Sequence, residues 1–395
     1  MQIYKEITSC RLCHKSNLEV IFDFGLVSLG NDLVKIGEDR QSFESPLIVV
    51  RCEDCCGVQL KHDVNPAILF KNYLYSTPPN LDGHFKKYAR DVSSFLGLKK
   101  GEAVVEIGGN NGMLCSHFKK LGYDAINVDP GLEVAKLSLD KRIKTYHSFF
   151  DKQIAKKIEW ADTGKVKLIC ANNVFAHTNL DVVMEGVLEL LDNDGTLVIQ
   201  NAYLPNTLDQ NDIGQFYAEH VAYHLLYPLE TYFAQYDLNL YHVEFNDMQF
   251  GSFRAFVGKR VDDATIQNAL KKEKKYLKMS SYTDFWKRLN KWKDRLERLL
   301  YNLDGSMSLY GVTAKVALLI KFIGFHYFDY AIDDSEFKWE RKVPGTDIEI
   351  YPSKQLKNHP TKICVIGAYN MSNYIVQKNQ YYEGLWIDPL KLQIY

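Results

Sequence analysis

Val104-Val105-Glu106-Ile107-Gly108-Gly109-Asn110-Asn111-Gly112 decides how this chain is read. An apolar run ends in a carboxylate, stops at a glycine-rich turn, and gives way to a helix-like segment from Met113 to Leu121. That is the strand, loop and helix start of a nucleotide-binding α/β unit. Glycine suits such a loop because a Cβ would block both the turn and a ligand approaching the backbone. The next strand, Tyr123-Asp124-Ala125-Ile126-Asn127-Val128-Asp129, ends in a carboxylate about 20 residues beyond the loop, where a ribose diol is normally held.

The spacing is Glu-x-Gly-x-x-x-Gly rather than Gly-x-Gly-x-x-Gly. The wider interval opens the loop for an amino-acid moiety instead of clamping a pyrophosphate on a helix N-terminus. The stretch therefore resembles the cofactor loop of S-adenosylmethionine-dependent methyltransferases. Its rival is a glycine-rich turn in some other α/β protein. If the resemblance holds, the candidate cofactor residues are Glu106, Gly108, Gly109, Asn110, Asn111, Gly112 and Asp129.

Strand and helix patterns alternate on both sides of this loop. A helix-like segment from Leu81 to Leu96 carries Phe85, Tyr88, Ala89, Val92 and Phe95 at i, i+3, i+4 spacing. Beyond Asp129, residues 143–150, 165–173 and 195–201 read as third, fourth and fifth strands, with a helix over Asp181 to Leu191. This predicts a parallel, doubly wound sheet binding its ligands at the carboxyl ends of the strands. Those ends carry the glycine loop, Asp129, Asn172 to His177 and Gln200 to Tyr203, so Asn172 and Asn173 join the cofactor candidates. A second unit follows. Phe250 to Val257 reads as a strand, and Asp263 to Leu303 as a charged helical stretch with an apolar stripe through Leu277, Phe285, Leu289, Trp292, Leu296 and Leu300. Alternation then resumes to the C-terminus as a second open α/β domain.

Four of the eight cysteines form two knuckles, Cys10-Arg11-Leu12-Cys13 and Cys52-Glu53-Asp54-Cys55. Each presents two thiolates from a tight turn, and two knuckles close a tetrahedral zinc site of four protein ligands, structural rather than catalytic. A redox pair is the rival, although a redox Cys-x-x-Cys stands singly at a helix start. Cys56 is either a substitute ligand for Cys55 or a spare buried thiol. With 395 residues the chain has room for two or three domains at ~150 residues each. The expected division is a zinc-binding domain over 1–70, a cofactor-binding domain over 71–245 and an α/β domain over 246–395. A formal net charge of −1 gives no reason to expect nucleic acid as a partner. No apolar run approaches the ~20 residues a membrane helix requires, and Met1-Gln2-Ile3-Tyr4-Lys5-Glu6 lacks the apolar core of a secretion signal. A cytoplasmic location with no membrane partner is expected. The oligomeric state stays open, monomer included.

Two clusters carry candidate chemistry: Asn172-Asn173-Val174-Phe175-Ala176-His177 and Gln215-Phe216-Tyr217-Ala218-Glu219-His220. A histidine alone in a loop is commonly a hydrogen-bonded surface residue. Glu219 beside His220 improves the case for a base, since a carboxylate can raise imidazole basicity, and Tyr217 adds a phenol able to donate to an oxyanion. Tyr73 and Tyr75, in a turn segment marked by Pro78-Pro79, would sit near the mouth of the cofactor domain, packing being their default reading.

These pieces, with Arg51 to Cys55, Val58-Gln59-Leu60, Gly311-Val312-Thr313-Ala314-Lys315 and Pro344-Gly345-Thr346, resemble the sugar C-methyltransferases of deoxysugar pathways over essentially the whole chain. The best-known members methylate carbon 3 of a nucleotide-linked 4-keto-6-deoxysugar. The resemblance implies that His220 is the base beside the sugar ketone, that Glu219 is its neighbouring carboxylate, and that Tyr217 and His177 surround the sugar and its enolate oxygen. It implies a substrate-facing Tyr75, and Lys315 as a contact to the nucleotide diphosphate. There are departures: Gln200 stands where an acidic residue is expected, Lys315 lacks a following glycine, and Cys56 replaces a common glycine. Two other readings stay open on these residues. One is methyl transfer to oxygen or nitrogen of a nucleotide sugar or related small molecule. The other is a non-catalytic zinc-knuckle binding module.

Overall fold

The computed structural model describes residues 3–69, 76–324 and 326–395. Among them, the central sheet has the strand order Asn239–Asn246, Ser252–Gly258, Leu191–Ala202, Val166–Asn172, Ala103–Ile107, Asp124–Asp129, Lys144–His147. The last five run parallel, while Ser252–Gly258 lies antiparallel between its two neighbours. Chain order reverses between Ala103–Ile107 and Val166–Asn172, which opens a crevice beyond their carboxyl ends. The parallel strands are apolar almost throughout because helices cover both faces. Tyr88, Ala89 and Val92 of helix Asp82–Leu96 are buried against one of them as the spacing predicts. Phe95 of the same stripe is largely exposed and stacks on His242.

Two expectations need correcting. The strand near residue 252 was expected in the second unit, yet it is hydrogen-bonded into the central sheet, so that sheet continues past residue 245. A strand buried on both faces carries no periodicity that assigns it to one sheet or another. The helical stretch from 263 is also not continuous. Lys278 is extended (φ −97°, ψ 141°) and separates Ala264–Glu273 and its short extension from Met279–Tyr301.

The second open sheet orders Ile350–Tyr351, Tyr330–Ile332, Met307–Tyr310, Ile363–Ile366, Leu385–Asp388 and Gln393–Ile394, parallel except for the last strand. The N-terminal unit is an antiparallel sheet of Leu18–Ser28, Glu44–Cys52 and Val58–Leu60. Its fourth strand is Ala222–Tyr223, from far along the chain. An apolar core joins the N-terminal sheet to the C-terminal one, while separate clusters pack the central sheet. Phe22 and Phe24 of the N-terminal sheet pack with Phe216 and with Trp286 of helix Met279–Tyr301, in one cluster with Phe285 and Trp292 and with Leu319 beneath the C-terminal sheet. Among the described residues no helix is long and apolar enough to cross a membrane.

Candidate active site and metal centre

The four knuckle sulfurs lie within 4.8 Å of one another, with Cys10 to Cys55 and Cys13 to Cys52 each at 3.5 Å. A tetrahedron of about 2.3 Å zinc–sulfur bonds spaces its sulfurs similarly, so the donor set fits structural zinc. Backbone N–H groups of Leu12 and Gly57 point at the sulfurs of Cys10 and Cys55, as thiolates require. Cys56 takes no part in this group among the described residues. Its backbone is left-handed (φ 64°) and its sulfur accepts from Arg51 Nη2 at 3.0 Å.

The glycine loop leaves strand Ala103–Ile107 at the crevice. Gly112 has φ 69°, and a Cβ there would meet Ser138 Oγ at 2.3 Å, so no other residue suits the turn. Glu106 is buried beneath the loop, accepting from Asn172 Nδ2 and Cys115 Sγ at 3.3 Å each. Burial pushes its carboxyl up to about 7. Asp129 accepts from Asn110 N and Gly131 N, each at 2.8 Å, so it braces both loops at this edge. Asn111 donates to Ser76 Oγ and Thr77 O, while Asn110 Oδ1 receives Thr77 N. The segment before helix Asp82–Leu96 is thereby tied over the loop. Asn111 Oδ1 and Asn172 Oδ1 are buried acceptors without a hydrogen-bond partner among the described residues. They suit a ligand rich in donors, such as the ammonium and hydroxyl groups of S-adenosylmethionine. Asn173, left-handed at φ 55°, donates its N–H to Gln200 O across the adjacent strand end.

His177 and His220 meet here, their ring centroids 4.6 Å apart. His220 donates from Nδ1 to Gln215 O at 2.9 Å, which fixes its tautomer and leaves Nε2 to accept from the Tyr217 hydroxyl at 2.7 Å. His177 donates from Nδ1 to the main-chain oxygen of Glu219 at 2.8 Å. Burial holds His177 down at about 4 and His220 well below the usual imidazole range, with His177 and Lys315 adding to the latter. Both are therefore neutral near pH 7, and His220 Nε2 is a proton acceptor.

The Glu219 carboxylate does not raise His220 basicity as expected. It turns to Asn31 Nδ2 at 2.9 Å, while the His220 ring is held by Gln215 and Tyr217. Residues 217–220 form a turn, His220 N donating to Tyr217 O at 3.0 Å, and the two neighbouring side chains leave it toward different partners, which sequence adjacency conceals. Lys315 does approach this centre: its Nζ donates to Gln249 Oε1 at 3.2 Å and its stem passes over Gly214. Tyr75 lies outside the described residues, as does Tyr73.

Comparison with known families places three models along the chain: a putative zinc-binding domain over residues 10–70, a methyltransferase domain over 82–243 and a C-methyltransferase C-terminal domain over 247–389. The C-methyltransferase NovU of Streptomyces niveus is 26% identical over 96% of this chain and 93% of its own length. The chain belongs to the S-adenosylmethionine-dependent C-methyltransferases.

Solved structures of similar fold include magnesium protoporphyrin IX methyltransferase of Synechocystis PCC 6803 (14% identity, 45% of this chain and 84% of that one, TM-score 0.35). Another is a methyltransferase from Thiobacillus denitrificans (11%, 47% and 100%, TM-score 0.33). In this C-methyltransferase, the sequence reading marked Gln200 as a departure without its partners, and it missed Asp212. Gln200 Oε1 accepts from Asn246 Nδ2 and Arg254 Nη2, and its amide donates to His84 Nε2 at 3.3 Å. An acidic residue there would compete with Glu244, which already pairs with Arg254. Buried Asp212 accepts from Gln215 Nε2 and from the Tyr369 hydroxyl, so the C-terminal sheet braces the segment carrying His220. Polar residues scattered across two domains leave no local spacing to read.

Proposed function

We propose that this C-methyltransferase acts on a nucleotide-linked keto-deoxysugar, methylating a carbon next to the ketone after His220 removes its proton. The observation carrying this reading is the neutral, buried His220, whose Nε2 is an acceptor beside Tyr217 and His177. A carbon next to a carbonyl becomes nucleophilic only after deprotonation, so a base and a donor to the enolate oxygen are both needed. In this reading His220 takes the proton, and the Tyr217 hydroxyl turns from Nε2 to the enolate oxygen. His177, with Nδ1 tied to the main chain, offers its other ring nitrogen to the sugar. Glu219 fixes the segment on which Tyr217 and His220 stand, and its main-chain oxygen holds His177 to it. The S-adenosylmethionine held by Glu106, Asn110, Asn111, Asp129, Asn172 and Asn173 supplies the methyl group. Lys315 gives the nucleotide diphosphate a cation that reaches the site from the C-terminal sheet.

Eight cysteines without a disulfide, four of them grouped as metal ligands, support a reducing, cytoplasmic setting. The test is a screen of nucleotide-linked keto-sugars with labelled methyl donor and NMR of the product. A new carbon–carbon bond next to the ketone is expected. A methyl found only on oxygen or nitrogen would replace this reading.

A further inference from the structure

The loop after strand Leu18–Ser28 is where all three domains meet. Asn31 Nδ2 donates to Glu219 Oε1 at 2.9 Å, across 188 residues of chain. Glu219 is only 4% exposed, and its other carboxylate oxygen has no hydrogen-bond partner among the described residues. Its main-chain oxygen accepts from His177. One residue is thus held by the zinc-binding domain through its carboxylate and by the methyltransferase domain through its backbone.

The neighbouring Gly30 abuts the C-terminal domain. A Cβ on it would fall 2.5 Å from the backbone of Ala314, the residue before Lys315. The loop is clamped onto that domain further along, with Lys342 N donating to Val34 O and Arg341 Nη1 to Leu33 O. Gly345 of the Pro344-Gly345-Thr346 stretch belongs to the same seam, its N–H reaching Ser42 Oγ at 3.2 Å. Asp32 braces the loop from behind, accepting from Phe43 N and Arg40.

We propose that Asn31 of the zinc-binding domain is a positioning residue of the active site, holding Glu219 and with it the 217–220 segment in register with the loop that carries Lys315. This rests on the reading of His220 and Lys315 given above, and it adds a role for a domain whose metal takes no part in the chemistry. Apart from its own backbone N–H, Asn31 is the donor that holds the Glu219 carboxylate among the described residues, so the buried group moves when Asn31 is lost. Small displacements of a base are costly, since proton transfer needs hydrogen-bond reach.

The experiment uses the full-length, zinc-loaded protein carrying Asn31→Ala or Asn31→Asp. Amide hydrogen exchange across residues 217–222 should quicken by about tenfold or more in both variants, while residues 103–112 keep their protection. Turnover should fall by about 10- to 100-fold at unchanged affinity for S-adenosylhomocysteine. Asn31→Asp has the same shape but sets a second carboxylate against Glu219, within a neighbourhood that also holds Asp32, His177 and His220. It should move the acid limb of the rate profile upward by about one pH unit, a change that mere packing does not produce. Unchanged exchange over 217–222 in both variants overturns the proposal whatever turnover does. Exchange does not depend on the acceptor, so a wild type inactive on every keto-sugar would defeat the substrate reading and leave this test standing.

Discussion

The proposed base, His220, is kept uncharged by its surroundings. The carbonyl of Gln215 fixes the tautomer, and burial beside His177 and Lys315 disfavours the imidazolium. Replacing it with alanine should lower turnover by about 10²- to 10⁴-fold, the usual share of a general base, while calorimetry with S-adenosylhomocysteine finds the wild-type affinity. Tyr217→Phe removes the hydroxyl assigned to the enolate and should cost about 10²-fold in kcat. The pH profile follows from the direction of the shift. A lowered imidazole remains a free base as pH falls, so the acid limb of kcat/KM should lie below about 6.5, the value of an unperturbed histidine. A limb at or above that value would contradict the assignment. The same burial has a stability consequence. For His177 the folded value is about 4, so its contribution is full above the unfolded value of ~6.5 and is lost as pH falls through 4.

Among the elements, the short strand Ala222–Tyr223 does the most to place the site, since it begins two residues after His220 and pairs with Val58–Leu60 of the zinc-binding domain. Cys52 and Cys55 flank the turn that leads into Val58–Leu60, so the metal site adjoins the sheet whose fourth strand follows His220. Cys13→Ser should therefore drop zinc below the expected one per chain by elemental analysis and lower the melting temperature, since structural zinc contributes folding energy directly. A Cys13→Ser protein with full zinc content would defeat the four-thiolate assignment. Helix Met279–Tyr301 is the other large support. Trp292 is buried in the shared core and its Nε1 donates to Pro389 O at 2.8 Å, so Trp292→Ala should cost about 3–5 kcal/mol in denaturant unfolding. The glycine loop, the knuckles and the helical stripes were legible in sequence because each depends on neighbours a few residues away. Ala222–Tyr223 was not, being two residues long and paired across more than 160 positions. The placement of Ser252–Gly258 failed for a related reason: a uniformly buried strand looks alike in any sheet. The Glu219–His220 pairing misled because adjacency in sequence says nothing of which way two side chains turn.

In the whole molecule, the segment that carries His220 is tied to both other domains: Asp212 before it accepts from Tyr369 of the C-terminal domain, and Ala222–Tyr223 after it pairs with the zinc-binding domain. The glycine loop and Asp129 stand on the first sheet's edge, while Lys315 arrives from the second. In the proposed reading the methyl donor is held at the first sheet and the nucleotide by Lys315 from the second. Enolate formation would then be a half-reaction separable from methyl transfer. The direct measurement is solvent deuterium exchange at the carbon next to the ketone of an accepted nucleotide-linked keto-sugar, in the presence of S-adenosylhomocysteine, followed by NMR. The wild type should exchange that hydrogen and His220→Ala should not. Exchange that persists undiminished in His220→Ala, or is missing from a wild type that methylates the same sugar, would contradict the account.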